Sequence, residues 1–210
     1  MISLIAFTHR GCLLGKRLAE ELGGRLWTTD RLAREMGLPP CGTLRDWAEA
    51  RFADSEALVF ISAAGIAVRT IAPFVKDKFS DPAVVSVDEA GQFAVPLLSG
   101  HVGGANDLAR RVAELTGGHA AVSTATDVNG LFAVDQWARE QNLVLCGRVE
   151  AKAVSAALLE GKPVGFRSAW PISGTMPRGL GGGRPGPASA SAPPRRSAPL
   201  PRHCTWSPGR

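Results

Sequence analysis

The chain has 210 residues and 45% of them are hydrophobic, which is enough for one large domain or two small ones with a sizeable core. The formal charge of +5 comes from the end of the chain, because residues 181–210 hold five arginines and no acidic residue, leaving 19 basic and 19 acidic residues in 1–180. A neutral body argues against a nucleic-acid-binding face, and no apolar run is long enough to span a membrane.

Four cysteines lie far apart in the sequence without a CxxC pair: Cys12, Cys41, Cys146 and Cys204. This spacing argues against a zinc site and a disulfide framework, and it favours the reducing cytoplasm. The N-terminal segment "MISLIAFTHRG" turns polar too early for a signal peptide and is interpreted as a first strand. We therefore expect a cytoplasmic protein without a membrane or nucleic-acid partner.

Strand-like and helix-like segments alternate through the first 170 residues. Apolar runs predict strands at "SLIAFT", "RLWTT", "ALVFISAAG", both halves of "AVVSVDEAGQFAVPLL", "HAAVS", "LVLCG" and "GKPVGF". Helical spacing of apolar residues marks the segments between them, beginning with "GCLLGKRLAEELGG". The alternation indicates an α/β fold with a mostly parallel sheet and flanking helices.

Single residues set several predicted helix boundaries. Asp30 is the predicted N-cap of the second helix and Gly37 its stop, and Thr43 is the predicted N-cap of the third helix. The segment "IAVRTIAPFVKDK" is predicted as a helix that breaks near Pro73.

Composition divides the chain into three parts. We predict an N-terminal α/β domain over 1–140, the start of a truncated second α/β region over 141–180, and a low-complexity tail over 181–210. The tail is rich in Gly, Pro, Ala, Ser and Arg, so it buries too little apolar surface to fold and is predicted to be disordered. Out-of-frame GC-rich codons supply the same residue types, which suggests a frameshift product.

The segment "HRGCLLGKR" does not meet the requirements of a phosphate loop. Three residues rather than four separate Gly11 from Gly15, and Arg17 stands where a Ser or Thr should follow Lys16. No GxGxxG follows a strand in the body of the chain, so we expect no dinucleotide cofactor.

The segment "LLSGHVGGAND", residues 97–107, concentrates polar and small residues before a predicted helix. Gly103–Gly104 can turn backbone N–H groups towards an anion, and Asn106 or Asp107 can cap the helix. His101 can act as a general base or acid near neutral pH, and Ser99 adds a hydroxyl. A capped helix with a loop histidine explains the segment equally well.

A second polar segment, "STATDVNG", follows the strand "HAAVS". Asp127 can orient His101 or polarise water, although turn formation alone also explains the segment. Because ligands bind beyond the carboxyl ends of parallel strands, we expect both polar segments at that edge of the sheet. Arg69 can clamp a carboxylate, or it is an ordinary surface arginine.

Three stretches identify the family that this chain resembles: "GIAVRTIAP", "VKDKFSDPAVVSVDEAGQFAVPLLSGHVGGANDLA" and "VSTATDVNG". They are similar to the cobalt-precorrin-5A hydrolase (CbiG) family of anaerobic cobalamin biosynthesis. The resemblance is densest over 57–135, continues more loosely to about residue 180, and leaves the family's C-terminal domain without a counterpart.

The resemblance implies a hydrolase that opens the ring A δ-lactone of cobalt-precorrin-5A and releases acetaldehyde to give cobalt-precorrin-5B. The two polar segments supply our catalytic candidates for such a reaction, which are His101, Asp127 and Ser99. The backbone N–H groups of Gly103 and Gly104 would stabilise the oxyanion or bind a substrate carboxylate. The other candidates for substrate binding are Arg69, Asn106, Thr124, Thr126 and Asn129. We expect no metal site and no cofactor of the protein's own, because cobalt arrives inside the substrate.

Two alternatives stay open beside the hydrolase, whose activity truncation would impair. One is a non-catalytic chain that binds a tetrapyrrole, and the other is a generic anion- or phosphate-binding α/β protein. Other enzymes of the corrin pathway are possible partners that the resemblance implies.

Overall fold

A computed structural model describes residues 1–78, 80–101, 103–141, 143, 145, 147–166, 180–182 and 206–208. The chain forms two compact units, Met1–Val122 and Ser123–Arg210. The parts of the predicted strand "LVLCG" at Val144 and Cys146, and most of the predicted tail, lie outside the described residues.

The first unit is built on a six-stranded sheet in the order β2-β1-β3-β4-β5-β6. Strands β1 to β4 are parallel, β5 runs antiparallel to β4, and β6 is parallel to β5. The mostly parallel α/β sheet is therefore confirmed, with its last two strands reversed. The strands are β1 Ile2–Ala6, β2 Arg25–Thr28, β3 Ala57–Ile61, β4 Ala83–Val87, β5 Phe93–Leu98 and β6 His119–Ala120.

Five helices and a short 3₁₀ turn connect these strands within the described part of the first unit. They are α1 His9–Leu22, α2 Asp30–Met36, α3 Leu44–Asp54, α4 Ala64–Ile71 with the 3₁₀ turn Ala72–Phe74, and α5 Ala105–Thr116.

The predicted helix boundaries depend on local capping. The Thr43 hydroxyl accepts a hydrogen bond from the Asp46 backbone N–H at 3.1 Å, which confirms the predicted cap of α3. Gly37 ends α2 in the left-handed conformation, also as predicted. The predicted cap at Asp30 is wrong, because Thr29 holds the extended cap position and Asp30 is already helical. The helix break is confirmed, since the backbone tightens into the 3₁₀ turn around Pro73.

Both faces of the sheet are covered, which explains the continuous apolar runs in its central strands. Alternate residues point to opposite faces, so Val59 and Ile61 of β3 pack in one core and Leu58 and Phe60 in the other. The first core includes residues of α1 and α5, and the second includes residues of α3 and α4. The sheet is thus a rigid platform, and its two edges are where loops can carry function.

The second unit contains short helices and a small sheet. Its elements are α6 Ala125–Val128, α7 Val134–Glu140, α8 Arg148–Leu159, β7 Val164–Phe166, β8 Leu180–Gly182 and β9 Trp206–Pro208. Strand β7 pairs in parallel with β8 and antiparallel with β9. Phe132, Trp137, Val154 and Val164 pack in the core of this unit. None of the helices in the described ranges combines the length and apolar character needed to cross a bilayer.

Candidate active site

The loop that carries Ser99 and His101 joins β5 to α5. It follows the carboxyl end of β5, but β5 is antiparallel to its neighbour, and Leu98 at its end pairs with Val84 near the start of β4. The loop therefore lies at the edge where the parallel strands β1, β3 and β4 begin, not where they end as the sequence led us to expect. The reversal of one strand moves this segment to the opposite edge of the sheet.

Ser99 anchors this loop. Its side chain is buried, 7% exposed, and its hydroxyl donates a 2.9 Å hydrogen bond to the backbone carbonyl of Asp81. Its φ of 56° is the only positive value outside glycine among the described residues. Strained backbone persists where surrounding contacts hold it, and such positions cluster at functional sites. The Ser99 carbonyl also accepts the N–H of Ala105, the first residue of α5, at 3.2 Å.

Gly103 and Gly104 let the loop fold tightly onto this anchor. A Cβ on Gly103 would lie 2.5 Å from the Ser99 Cβ and 2.9 Å from the Ser99 carbonyl oxygen, so only glycine fits there. Gly104 has a φ of 85° at the N-cap of α5, and its N–H donates to the His101 carbonyl at 3.2 Å. One of the two amides proposed for anion binding is thus already used inside the loop.

His101 lies half-buried in the bend that Ser99 and Gly104 define. The predicted helix cap beside it is wrong, because Gly104 takes the cap position and Asn106 and Asp107 lie in the first turn of α5. Asn106 is only 2% exposed, and its backbone N–H donates to the Gly100 carbonyl at 3.0 Å. His101 is therefore the titratable side chain that this loop holds at the edge of the sheet.

Arg69 lies at the other edge. Helix α4 begins just after the carboxyl end of β3, and the Arg69 guanidinium folds back along the helix towards Gly65, whose Cβ position is 3.5 Å away. The His101 loop lies beyond the opposite ends of the strands, which at about 3.3 Å per residue are roughly 16 Å long. The structure does not bring Arg69 together with His101. Among the described residues, Arg69 has no ion pair and remains a cation open to solvent.

The second polar segment lies at the start of the second unit. Thr124 is the N-cap of α6, and Thr126 within the helix is buried, 6% exposed. The Asn129 side-chain amide donates to the Ala125 carbonyl at 2.8 Å and so closes the end of α6. Asp127 lies in the same short helix. A joint role of Asp127 and His101 in catalysis stays a prediction.

Sequence reasoning missed Asp81, which joins two segments at the His101 edge. Its buried carboxylate accepts the backbone N–H groups of Lys76 at 2.8 Å and Asp77 at 3.1 Å, while its carbonyl accepts the Ser99 hydroxyl. The sequence feature that could have predicted this role is the aspartate directly before a proline in "KFSDP", a pairing typical of a turn that the side chain stabilises. Within the described residues, no three His, Cys, Asp or Glu side chains form a cluster suited to a metal ion.

The Asp88 carboxylate, at the edge of the sheet opposite the His101 loop, has a structural role. Asp88 follows β4, and its side chain accepts the backbone N–H groups of Ala90 at 2.9 Å and Phe93 at 2.6 Å. Burial alone would raise the pKa of Asp88, but the hydrogen bonds from Phe93, Gln92 and Ala90 together lower it below its usual value. This carboxylate fixes the β4–β5 turn and with it the reversal of β5.

Comparison with known proteins gives two family matches in sequence order. Residues 46–127 match the family described as Cobalamin synthesis G N-terminal, and residues 132–185 match the Cobalamin biosynthesis central region. The first match contains both loops that meet at Asp81 and Ser99.

Named relatives agree with these matches. The chain is 44% identical to a cobalt-precorrin-5A hydrolase of Salmonella typhimurium, over 79% of this chain and 47% of the relative. It is 33% identical to a cobalt-precorrin-5A hydrolase of Priestia megaterium, over 66% of this chain and 39% of the relative. The chain thus spans about half or less of the length of these relatives.

A solved structure supports the fold. A cobalamin biosynthesis protein G homolog from Sulfolobus solfataricus superimposes with a TM-score of 0.50 at 19% identity, covering 86% of this chain and 52% of that one. Two consecutive family matches and the 44% identical relative show that the chain belongs to the CbiG family of cobalamin biosynthesis proteins.

Proposed function

We propose that this chain is a cobalt-precorrin-5A hydrolase, acting on a carboxylate-rich, cobalt-containing tetrapyrrole. The observation that supports this most directly is the 44% identity to the Salmonella typhimurium cobalt-precorrin-5A hydrolase over 79% of this chain. The geometry is consistent with it, because a half-buried histidine stands in a strained, tightly anchored loop at one edge of the sheet.

The proposed reaction has two bond-breaking steps. Water adds to the lactone carbonyl, the acyl C–O bond breaks, and the ring oxygen takes a proton, so that a carboxylic acid and a hydroxyl replace the lactone. The hydroxyl-bearing carbon then leaves as acetaldehyde as its O–H proton is lost, and the electrons of the broken C–C bond pass to the conjugated macrocycle. Both steps need a group that accepts and returns a proton near neutral pH.

His101 is the side chain that we assign to proton transfer. An imidazole titrates near neutral pH, and positioned acid–base catalysis is worth about 10²–10⁴-fold in rate. Ser99 holds the loop through Asp81, so its hydroxyl proton is directed to a backbone carbonyl in this conformation. We therefore propose activated water rather than a serine nucleophile, with Asp127 as the second acid–base candidate.

The test follows acetaldehyde release and macrocycle mass after the purified chain is mixed with cobalt-precorrin-5A. We expect His101→Ala to lower the rate by about 10²-fold or more. The matched control is His9→Ala, because His9 is exposed at the start of α1 at the opposite edge of the sheet. Asp127→Asn tests the second candidate in the same assay.

Three outcomes separate the alternatives. Normal turnover in both His101→Ala and Asp127→Asn would remove these residues from the mechanism. Binding of the cobalt-tetrapyrrole without acetaldehyde release by the unaltered chain would identify a non-catalytic binding protein. Binding of phosphate or nucleotide without any binding of the tetrapyrrole would identify a generic anion-binding protein and contradict the proposal.

A further inference from the structure

A cavity of about 500 Å³ opens in the first unit between the end of α3 and the segment that follows α4. Helix α3 ends at Asp54, three residues before the start of β3 at Ala57, and the segment around 73–81 leads directly into β4. The cavity therefore lies at the same edge of the sheet as the His101 loop. Its volume falls in the range of small-molecule sites, about 300–1,000 Å³.

One wall of the cavity is aromatic. Phe52 of α3 and Phe74 of the 3₁₀ turn line it with their ring centroids 6.1 Å apart and their planes tilted by 39°. Both rings are half-buried and continue the core packed on that face of the sheet. Ala53 and Pro73 complete the apolar wall. This surface suits a flat or branched apolar group of a ligand.

The rim of the cavity carries two opposite charges. Lys76 and Glu49 both line it and are exposed, and neither has an ion pair among the described residues. The Asp81 carboxylate accepts the Lys76 backbone N–H, which fixes the position of the lysine backbone at the rim. An anionic group of a ligand is attracted towards Lys76 and repelled by Glu49.

Asp81 also connects the cavity to the His101 loop. Asp81 is one of the residues that line the cavity, and its carbonyl accepts the Ser99 hydroxyl at 2.9 Å. A ligand in the cavity therefore lies next to the residue that anchors the loop of His101. A group bound beside this anchor can orient the substrate without taking part in the chemistry.

We infer that this cavity is a substrate subsite, which binds an apolar part of an anionic macrocycle against Phe52 and Phe74 and one of its carboxylates at Lys76. The inference rests on the proposed function, because the substrate class comes from it. The subsite binds a part of cobalt-precorrin-5A that is remote from the lactone, so it contributes to binding and orientation.

Filling the cavity is the direct test. Ala53→Trp places an indole into the cavity from an exposed position of α3, and Ala50→Trp adds the same side chain to the same helix outside the lining. The probe for binding is the reaction product cobalt-precorrin-5B, which does not turn over. We expect Ala53→Trp to raise its Kd and the KM for cobalt-precorrin-5A about tenfold, the change that about 1.4 kcal/mol produces. We expect the kcat of Ala53→Trp to change by less than about twofold. Ala50→Trp should leave Kd, KM and kcat unchanged.

The charge at the rim has its own test. Lys76→Gln should raise the Kd for cobalt-precorrin-5B by about threefold to tenfold and weaken its dependence on salt, since a screened ion pair is lost. Lys152→Gln removes another exposed lysine, from α8, and serves as the charge control. Glu49→Gln should lower the Kd, because it removes a repulsive charge.

The outcomes distinguish the subsite from the proposed function. An unchanged Kd and KM in Ala53→Trp, or an equal change in Ala50→Trp, would overturn the subsite while leaving the hydrolase intact. A raised Kd in Ala53→Trp without acetaldehyde release by the unaltered chain would support the subsite and refute the enzyme. No binding of cobalt-precorrin-5B together with no acetaldehyde release by the unaltered chain would overturn both.

Discussion

Replacing Ser99 tests how the His101 loop is held. Ser99→Ala removes the 2.9 Å hydrogen bond to the Asp81 carbonyl but keeps a Cβ at a φ of 56°. A buried polar group that loses its partner costs about 1–3 kcal/mol. Ser99→Gly loses the same bond but relieves the backbone, since glycine adopts positive φ without the roughly 1–2 kcal/mol that a Cβ costs. We therefore expect Ser99→Ala to be less stable than the unaltered chain. The free energy of unfolding of Ser99→Gly should exceed that of Ser99→Ala by about 1 kcal/mol or more.

Two measurements check this expectation. Chemical unfolding gives the free energies, and hydrogen exchange reports the loop itself, because the amides of Ala105 and Asn106 donate to the carbonyls of Ser99 and Gly100. A local loss of about 1.4 kcal/mol corresponds to about tenfold faster exchange at these amides. Turnover adds a third criterion: an anchoring role predicts residual activity in Ser99→Gly, whereas a nucleophile predicts none in either variant. A Ser99→Gly variant less stable than Ser99→Ala would refute the reasoning from backbone strain.

Three further predictions follow from local geometry. Gly103→Ala should destabilise the chain by about 1–3 kcal/mol in chemical unfolding, since its Cβ would lie 2.5 Å from that of Ser99. Gly65→Ala in α4 should be neutral or stabilising, because its Cβ would meet only the flexible Arg69 guanidinium at 3.5 Å, and equal effects of the two changes would contradict the close packing. Thr43→Ala should lower the free energy of unfolding by about 1 kcal/mol, because the cap of α3 is lost. Thr29→Ala should lower it less, because the Thr29 side chain makes no capping hydrogen bond, and the reverse order would be evidence against the capping argument. The lowered pKa of Asp88 predicts a contribution to stability that is present above the ordinary carboxyl pKa and lost as the pH falls through the pKa of the folded state. The free energies of unfolding of the unaltered chain and of Asp88→Asn should therefore converge in acid, and a difference that stays constant with pH would contradict this.

Helix boundaries were accessible from sequence because their causes are local. A threonine three residues before a backbone N–H and a glycine after the last turn are enough to place the cap of α3 at Thr43 and the end of α2 at Gly37. The same rule missed by one residue at Asp30, because Thr29 beside it is also a residue type that favours the N-cap, and only the backbone conformation distinguishes the two.

The edge of the sheet that carries the site was harder to predict. The sequence predicted two strands joined by a turn over 83–98, and the structure confirms this hairpin as β4 and β5. A hairpin reverses the chain, so the segment after β5 reaches the start of the parallel strands. Treating the segment after β5 as the end of a strand in a mostly parallel sheet placed it at the wrong edge, and Arg69 was grouped with His101 although the two lie at opposite edges.

The sequence by itself determined the alternating elements, the caps at Thr43 and Gly37, and the resemblance that family matches over 46–127 and 132–185 confirm. These features depend on neighbouring residues or on the order of motifs along the chain. Only the tertiary structure decided that Asp81 holds Ser99 across 18 positions of sequence, and that Phe52 and Phe74 face one cavity. Those contacts depend on strand direction and on packing between distant elements, which local propensity does not specify.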